Sequence, residues 1–415
     1  MKQIVIYTTL LILSFQVVKS QVISEWRGIG RTGVYNEKDL LKTWPENGPK
    51  LLWSLKEFPK GNSSVSINNG TLYLTGTRDS MEVLIAVDST GILRWQTAYG
   101  RAWTQSFPES RCTPTIESGR LFVSSGKGDL ACLNAADGKI IWKLNASEKF
   151  KGTFGIWGIA ESPLIVDNKL IFTPGGKETT MVALDKHTGE TIWKSETLAD
   201  KPAYVSPVLI KRGNQKQIIA VTEKFILGVN PDNGKVIWKF DFGAYAFKAE
   251  PYNIVTNTPL YYDGKIFMTT GYNHSSVMLN LAEDGSSVSV AWVDSTLDVH
   301  HGGAVKVGNY IFGSNWLNNG MGNWVCLDWN TGKVMYETKW INKGSIIAND
   351  DMLYCYEEKT GNIALVNALP DSFKVVSSFK VPFGTGPYWA HPVIHRGILY
   401  LRHGDALMAY DLRGN

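Results

Sequence analysis

The chain carries seven histidines and four cysteines among 415 residues, and their spacing limits the chemistry open to them. His300 and His301 are adjacent and run into Gly302 and Gly303. Imidazoles near neutral pH bind metals or carry protons. Side chains alternate across a strand, so two adjacent histidines should point apart, with at most one facing a shared site. The glycines would let backbone approach closely there. His274, His391 and His403 are isolated, although Trp389 lies two residues before His391. The cysteines form no C-x-x-C, C-x-x-C-H or adjacent pair, so thiol redox, covalent haem and zinc-ribbon motifs are absent. Neither Gly-x-Ser-x-Gly nor His-Glu-x-x-His occurs, which removes the serine-hydrolase and zincin motifs. Gly175-Gly176-Lys177 opens no predicted helix and is not a phosphate loop.

The elements that would position these residues are legible as an internal repeat. Leu84-Ile85-Ala86-Val87-Asp88 is followed by Gly91 and Trp95. The pattern returns at Leu130–Asn134 with Gly138 and Trp142, at Met181–Asp185 with Gly189 and Trp193, and at Ile226–Asn230 with Gly234 and Trp238. Weaker copies end in Trp292 and in Tyr336, and a further one keeps only Val376. Alternating apolar residues make a strand, Asp or Asn starts a turn, Gly supplies positive φ, and the next strand carries the tryptophan. A second hairpin turn precedes each copy, for example Asn69-Gly70 and Ser118-Gly119. Each unit is therefore four antiparallel strands, one propeller blade. Trp53, Trp95, Trp142, Trp193, Trp238, Trp292 and Tyr336 are expected to dock neighbouring blades. Cys132 and Cys326 occupy the slot filled elsewhere by Ala86, Ala183, Gly228 and Ala409, so a small buried thiol explains them better than a disulfide.

Counting predicts an all-β, eight-bladed β-propeller over residues 50–415. The eighth blade begins at Pro392 and lacks a tryptophan strand; Lys50–Leu55, with Trp53, has that pattern and no blade before it. An N-terminal strand closing the last blade removes two open sheet edges. Residues 21–49, with Trp26 and Trp44, are expected as an irregular lead-in along the surface. Residues 1–20 read as a cleaved signal peptide: Lys2, an apolar run from Ile4 to Val18, and a small residue at Ser20. No lipid-anchor cysteine follows and no membrane span is expected, which places the protein in the periplasm or outside the cell. The formal charge of +4 drops to +2 once Lys2 and Lys19 leave. With no basic run, nucleic acid is not an expected partner.

Ala183-Leu184-Asp185 with Thr188-Gly189 and Trp193 resembles the tryptophan-docking repeat of the pyrroloquinoline-quinone (PQQ) propellers. Trp26-Arg27-Gly28, Val299-His300-His301-Gly302-Gly303 and Trp389-Ala390-His391-Pro392 resemble exported PQQ-like propeller proteins, including the propeller lipoprotein of outer-membrane β-barrel assembly. The resemblance implies the fold and, for some members, alcohol or sugar oxidation with PQQ and Ca2+. The enzymes of that superfamily commonly cap the quinone with adjacent cysteines, which this chain lacks. Glu161, Glu250, Asn253 and Asn257 are the oxygen donors available for a cation.

In such a propeller, connections between blades share one face with the middle hairpin turns. That sorting gathers His274, His300, His301, His391 and His403 on one rim, with Trp103, Trp157, Tyr204, Tyr245, Tyr272, Trp316, Tyr388, Trp389, Arg78, Arg101, Glu161, Glu250 and Arg402. His300, His301, His391, Trp389, Trp157, Glu161, His274, Trp316 and Arg402 are the candidate ligand-binding residues. The leading expectation is a binding or scaffold protein with no assigned catalytic residue and no assured cofactor, taking a protein, small-molecule or glycan ligand on the funnel face. The alternatives are a PQQ- or metal-dependent oxidoreductase using His300, His301 and His391, and a carbohydrate-binding propeller.

Overall fold

The computed structural model describes residues 24–247 and 254–414. The proposed leader, Glu250 and Asn253 lie outside the described residues. Eight antiparallel sheets form the ring. Blade 1 runs from strand Ser66–Asn68 to strand Leu93–Arg101, blade 2 from Thr115–Glu117 to Ile140–Asn145, and blade 3 from Leu164–Val166 to Thr191–Lys194. Blade 4 runs from Val208–Arg212 to Val236–Asp241, blade 5 from Leu260–Tyr262 to Val288–Asp294, and blade 6 from Val299–Val307 to Val334–Thr338. Blade 7 runs from Gly344–Asn349 to Val375–Lys380. Blade 8 contains Val393–His395, Ile398–His403 and Ala406–Asp411, and Lys50–Leu55 adds its outer strand antiparallel to Ala406–Asp411. The ring is thus closed by the N-terminal strand, as the repeat count requires.

The repeat has a direct mechanical meaning. In the third strand of most blades a small residue lies between two larger ones in register, as in Tyr73, Ala86 and Trp95; Phe122, Cys132 and Trp142; and Tyr400, Ala409 and Trp53, whereas blade 5 has Met278 there. That register explains the alanine-sized slot taken by Cys132 and Cys326, and all four cysteines are free and buried. Each tryptophan then reaches the next blade. Trp95 Nε1 donates to the Ala135 carbonyl at 3.3 Å, Trp142 to Lys186 at 3.0 Å, Trp193 to Pro231 at 3.0 Å and Trp292 to Trp329 at 3.2 Å. Trp53 donates to Ser89 at 2.8 Å and so joins blade 8 to blade 1. The indole lies over the turn glycine. At Gly138 (φ +71°) an added Cβ would fall 2.4 Å from Trp95, so glycine is required both for its backbone angle and for the ring.

Two docking residues differ in detail. Trp238 donates to Gln217 Oε1 at 2.9 Å, and Gln217 Nε2 donates to the Gly285 carbonyl at 2.7 Å, so an amide relays the contact from blade 4 to blade 5. Tyr336 meets Phe373 of blade 7 edge-on with ring centroids 6.3 Å apart.

The lead-in does not follow the surface. Residues 24–35 enter the central channel, which the ring of inner strands leaves open. Ser24 O accepts from Ile116 N of blade 2 at 2.7 Å. Arg31 donates to Ser162 O and Pro163 O at the inner edge of blade 3 at 2.9 and 3.0 Å. Arg27 donates to Ala304 O of blade 6 at 2.6 Å and to Ile346 O of blade 7 at 3.1 Å. Val34–Tyr35 adds a fifth strand, parallel to Gly344–Asn349 of blade 7. Arg27, Arg31 and Tyr35 are buried. The physical reason is that blade 6, 7 and 3 carbonyls facing the channel need donors, and buried carbonyls are rarely left unpaired. The chain then leaves past Asn349, whose side chain accepts from Glu37 N at 2.8 Å, and buries Trp44 against Tyr354 and Phe379.

Candidate functional site

Above this plug lies a cavity of about 630 Å³, lined by residues from many connections. Its aromatic wall contains Trp26, Phe107, Trp157, Tyr204, Tyr272, Trp316 and Trp389. The rings brace one another: Trp157 lies 5.4 Å from Tyr204 and 6.3 Å from Tyr272, Tyr272 lies 5.1 Å from Trp316, and Phe107 lies 5.5 Å from Trp389. Polar groups interrupt the wall at Asn62, Arg111, Ser162, Ser206, Thr256, Asn319, His300, His301, Glu358 and His391.

Both adjacent histidines face this space, contrary to the alternation expected of a regular strand. The inner strand of blade 6 pairs Val299 with Asn315, then resumes with Ala304 opposite Gly313. Residues 300–303 therefore stand against Ser314 alone, a bulge that re-aims side chains. Gly302 admits the blade 7 backbone, since a Cβ there would lie 1.9 Å from the Gly344 carbonyl; Gly303 has φ +72° and its missing Cβ leaves room for Arg27. Asn257 braces the bulge, donating to Val299 O at 2.7 Å and accepting from Gly303 N at 3.1 Å. Its amide is thus occupied in holding backbone.

The imidazoles converge on Glu358, a residue that the sequence reading did not select. Its Oε2 lies 3.2 Å from His301 Nε2 and 3.8 Å from His300 Nδ1, while its Oε1 accepts from Lys343 Nζ at 2.8 Å. His300 Nε2 meets the Tyr272 hydroxyl at 2.7 Å. Burial, with the neighbouring His301, pushes His300 down to about 3, so it is neutral at physiological pH. Burial opposes the Glu358 charge, but the two imidazole edges and the Lys343 ammonium hold it well below the usual carboxylate range.

His391 has a different task. Arg27 can only donate, so His391 Nδ1 accepts from it at 2.8 Å, and the proton on Nε2 is directed at His301 O, 3.1 Å away. Trp26 closes on the same imidazole edge-on at 5.1 Å.

Of the candidate residues, His300, His301, His391, Trp389, Trp157 and Trp316 line the cavity. Three do not. Arg402 is buried between blades 8 and 1, donating to Thr75 O at 2.6 Å, Pro59 O at 2.9 Å and Ser63 Oγ at 2.6 Å. It clamps the ring where the chain ends meet. His274 is buried 4.1 Å from the Phe242 ring, with Nδ1 on Ser275 O. Glu161 lies behind the wall, where Oε2 accepts from Thr173 N at 3.2 Å and Oε1 has no partner.

Burial lifts Glu161 to about 8, opposed in part by Thr173 and the Arg31 charge. An unfolded glutamate ionises near 4.3, so between about pH 4.5 and 8 the unfolded chain releases a proton that the folded chain keeps. The contribution of Glu161 to stability should fall across that window and level off above it. The difference in urea stability between the parent chain and Glu161→Gln isolates it, and should shift against the parent between pH 5 and pH 8.

The comparisons with known proteins agree with this architecture. The propeller BamB from Moraxella catarrhalis superposes with a TM-score of 0.63 at 12% identity, over 88% of this chain and 98% of that one. A europium-containing methanol dehydrogenase gives 0.66 at 11% identity, over 93% and 90%. The quinoprotein alcohol dehydrogenase PedH of Pseudomonas putida is 27% identical over 196 residues, 43% of this chain and 31% of that enzyme. A quinoprotein ethanol dehydrogenase of Pseudomonas aeruginosa is 22% identical over 34% of this chain and 25% of its own length. The matches thus span about a third or less of these curated relatives. The family described as outer membrane protein assembly factor BamB matches residues 80–342, well over half of the chain, and the protein belongs to that family.

Proposed function

We propose that this protein is an exported binding protein, acting in the periplasm or outside the cell, that seats one compact organic ligand in the funnel cavity. The observation that carries this reading is the aromatic cavity itself, floored by the protein's own N-terminal segment. Flat rings with hydrogen-bonding amides and hydroxyls between them suit a ligand with apolar faces and polar edges, as sugar rings have. Trp157 is the central test, because it touches Tyr204, Tyr272 and Phe107. Ligands found by glycan-array screening should quench tryptophan fluorescence, and Trp157→Ala should weaken them about tenfold, roughly 1.4 kcal/mol. Absence of any glycan hit, together with fluorescence insensitive to sugars, would sink the carbohydrate assignment.

The dehydrogenases named above suggest PQQ with calcium or a lanthanide, and the described lining does not fit that group. PQQ carries three carboxylates, whereas Arg111 is the single lysine or arginine among the described lining residues. Calcium takes roughly six to eight oxygen ligands; the converging donors here are two imidazole nitrogens and one carboxylate. Asn257, which the sequence offered as an oxygen ligand, is bound to the blade 6 bulge.

A protein partner on the same face is the second reading. Phe107, Ile156, Leu317 and Met321, which lie in the connections around the cavity mouth, are between 40% and 53% exposed, an apolar rim of the kind used in protein contacts. Joint replacement of Ile156, Leu317 and Met321 by serine, which spares the wall residue Phe107, should abolish any such partner while leaving cavity ligands bound.

A further inference from the structure

We infer that His300, His301 and Glu358 form a site for a divalent transition metal of the zinc class, with an open coordination position facing the funnel. His300 Nδ1, His301 Nε2 and Glu358 Oε2 lie within 4.8 Å of one another, and none of these buried atoms makes a hydrogen bond of good geometry, although His301 Nε2 and Glu358 Oε2 face each other at 3.2 Å. Buried polar atoms are ordinarily paired, so three such atoms pointing at one spot call for a shared partner. The Glu358 side chain is only 5% exposed.

The separations suit a small ion. Bonds of about 2.0–2.1 Å to nitrogen and oxygen place tetrahedral donors about 3.4 Å apart, against 3.2 and 3.8 Å for the two imidazole-to-carboxylate pairs and no more than 4.8 Å between the imidazoles. Donors of this kind, two imidazoles and one carboxylate, suit zinc and its first-row neighbours, whereas calcium and the lanthanides prefer oxygen.

The surroundings are also those of a metal site. Ligating groups are normally fixed through their second atom. His300 meets the Tyr272 hydroxyl through Nε2, which leaves Nδ1 free to ligate. Glu358 is fixed through Oε1 by Lys343, itself tied to Asn318 O at 3.0 Å. The bulge at 300–303 is the device that turns both imidazoles the same way. Three protein ligands leave a fourth position for water or a ligand oxygen, the arrangement of exchange-competent rather than closed structural sites. Since Lys343 already balances Glu358, the bound ion would add positive charge to a cavity that Arg111 also lines, favouring an anionic oxygen donor in that position.

The test uses the tag-free full chain, stripped with chelator and titrated with Zn2+ by calorimetry and with Co2+ by visible absorption. One equivalent should bind, with the Co2+ bands of a nitrogen–oxygen site. His301→Ala and Glu358→Gln should each weaken Zn2+ at least 100-fold. Circular dichroism and thermal melting must show both variants folded. Tyr272→Phe, which keeps all three donors, should weaken Zn2+ by about 10-fold and serves as the decisive variant if either of the others fails to fold. The inference is overturned if the wild-type chain takes up no stoichiometric Zn2+ or Co2+. It is equally overturned if one equivalent binds with the same affinity in the folded His301 and Glu358 variants, or in Tyr272→Phe where those two do not fold.

Discussion

Deletion of residues 50–56 is expected to convert the closed ring into an aggregating protein without a single cooperative melt. Two losses act together. The strand Lys50–Leu55 pairs with Ala406–Asp411 from Lys50 opposite Asp411 to Leu55 opposite Leu407, so its removal uncovers a long strand edge, a template for intermolecular pairing. Trp53 is also the link from blade 8 to blade 1, through its bond to Ser89 O and its packing on Gly91. A ring cut at one joint keeps its remaining joints but loses closure, and Arg402, whose donors reach blade 1 from blade 8, would then hold unpaired charge near the opening. Trp53→Ala separates the effects. It keeps the strand, removes the docking ring, and should cost about 2–4 kcal/mol while the protein elutes with the parent chain in size-exclusion chromatography. A deletion variant that is monomeric with unchanged melting would show that closure does not depend on this strand.

The repeat was legible because it is written in local chemistry. Asp185, for example, accepts from the backbone of His187 and Thr188 within its own turn, so the residues that specify the turn lie within four positions of one another. The docking tryptophan follows at a fixed offset for the same reason. The channel plug has no such signature. Arg27 and Arg31 bind backbone carbonyls between 131 and 319 residues away, and a carbonyl carries no side-chain identity that spacing could reveal. An apolar pattern interrupted by Gly28, Gly30 and Gly33 therefore read as a surface lead-in.

The site was half legible for a related reason. His300 and His301 were found by residue type, but strand alternation separated them, and only the bulge opposite Ser314 brings them together. Gly302 and Gly303 were the available signal, since two glycines inside a strand often mark a bulge. Glu358 was hidden by its neighbour: Glu357 accepts from Lys359 N and Thr360 N at 2.7 Å each, so the acidic pair reads as turn chemistry. His391 lines the cavity, yet its nitrogens are committed to Arg27 and His301 O rather than to the cluster. Glu161 falls in the expected connection and Arg402 near the end of strand Ile398–His403, but both point into the wall, because a buried arginine or carboxyl follows the nearest carbonyls and amides, not the loop class.

Arg27→Met is expected to produce the largest stability loss of any single substitution in the plug. The guanidinium is buried and binds Ala304 O, Ile346 O, Thr32 O and His391 Nδ1. Methionine is similar in length and cannot donate, so these acceptors would be stranded in the channel, each costing about 1–3 kcal/mol if left unpaired. Relaxation of the plug recovers part of this, which brings the expected loss to about 3–5 kcal/mol by urea denaturation. Burial already lowers Arg27 to about 10, a measure of how far solvent is excluded from the group. Arg27 is held at φ +61°, an angle a non-glycine residue keeps only when its surroundings enforce it, so the plug backbone should relax locally once these bonds are lost. Limited proteolysis should then cut between residues 24 and 35 in the variant and not in the parent chain. The cavity should respond too: with His391 Nδ1 unpaired and Trp26 unanchored, ligand affinity should fall along with stability. Arg413→Met provides the contrast, since that guanidinium is exposed and paired only with Asp411, and its loss should leave the urea midpoint unchanged. If both variants denature at the parent midpoint and the plug resists protease in each, the N-terminal segment does not hold the blades together through Arg27.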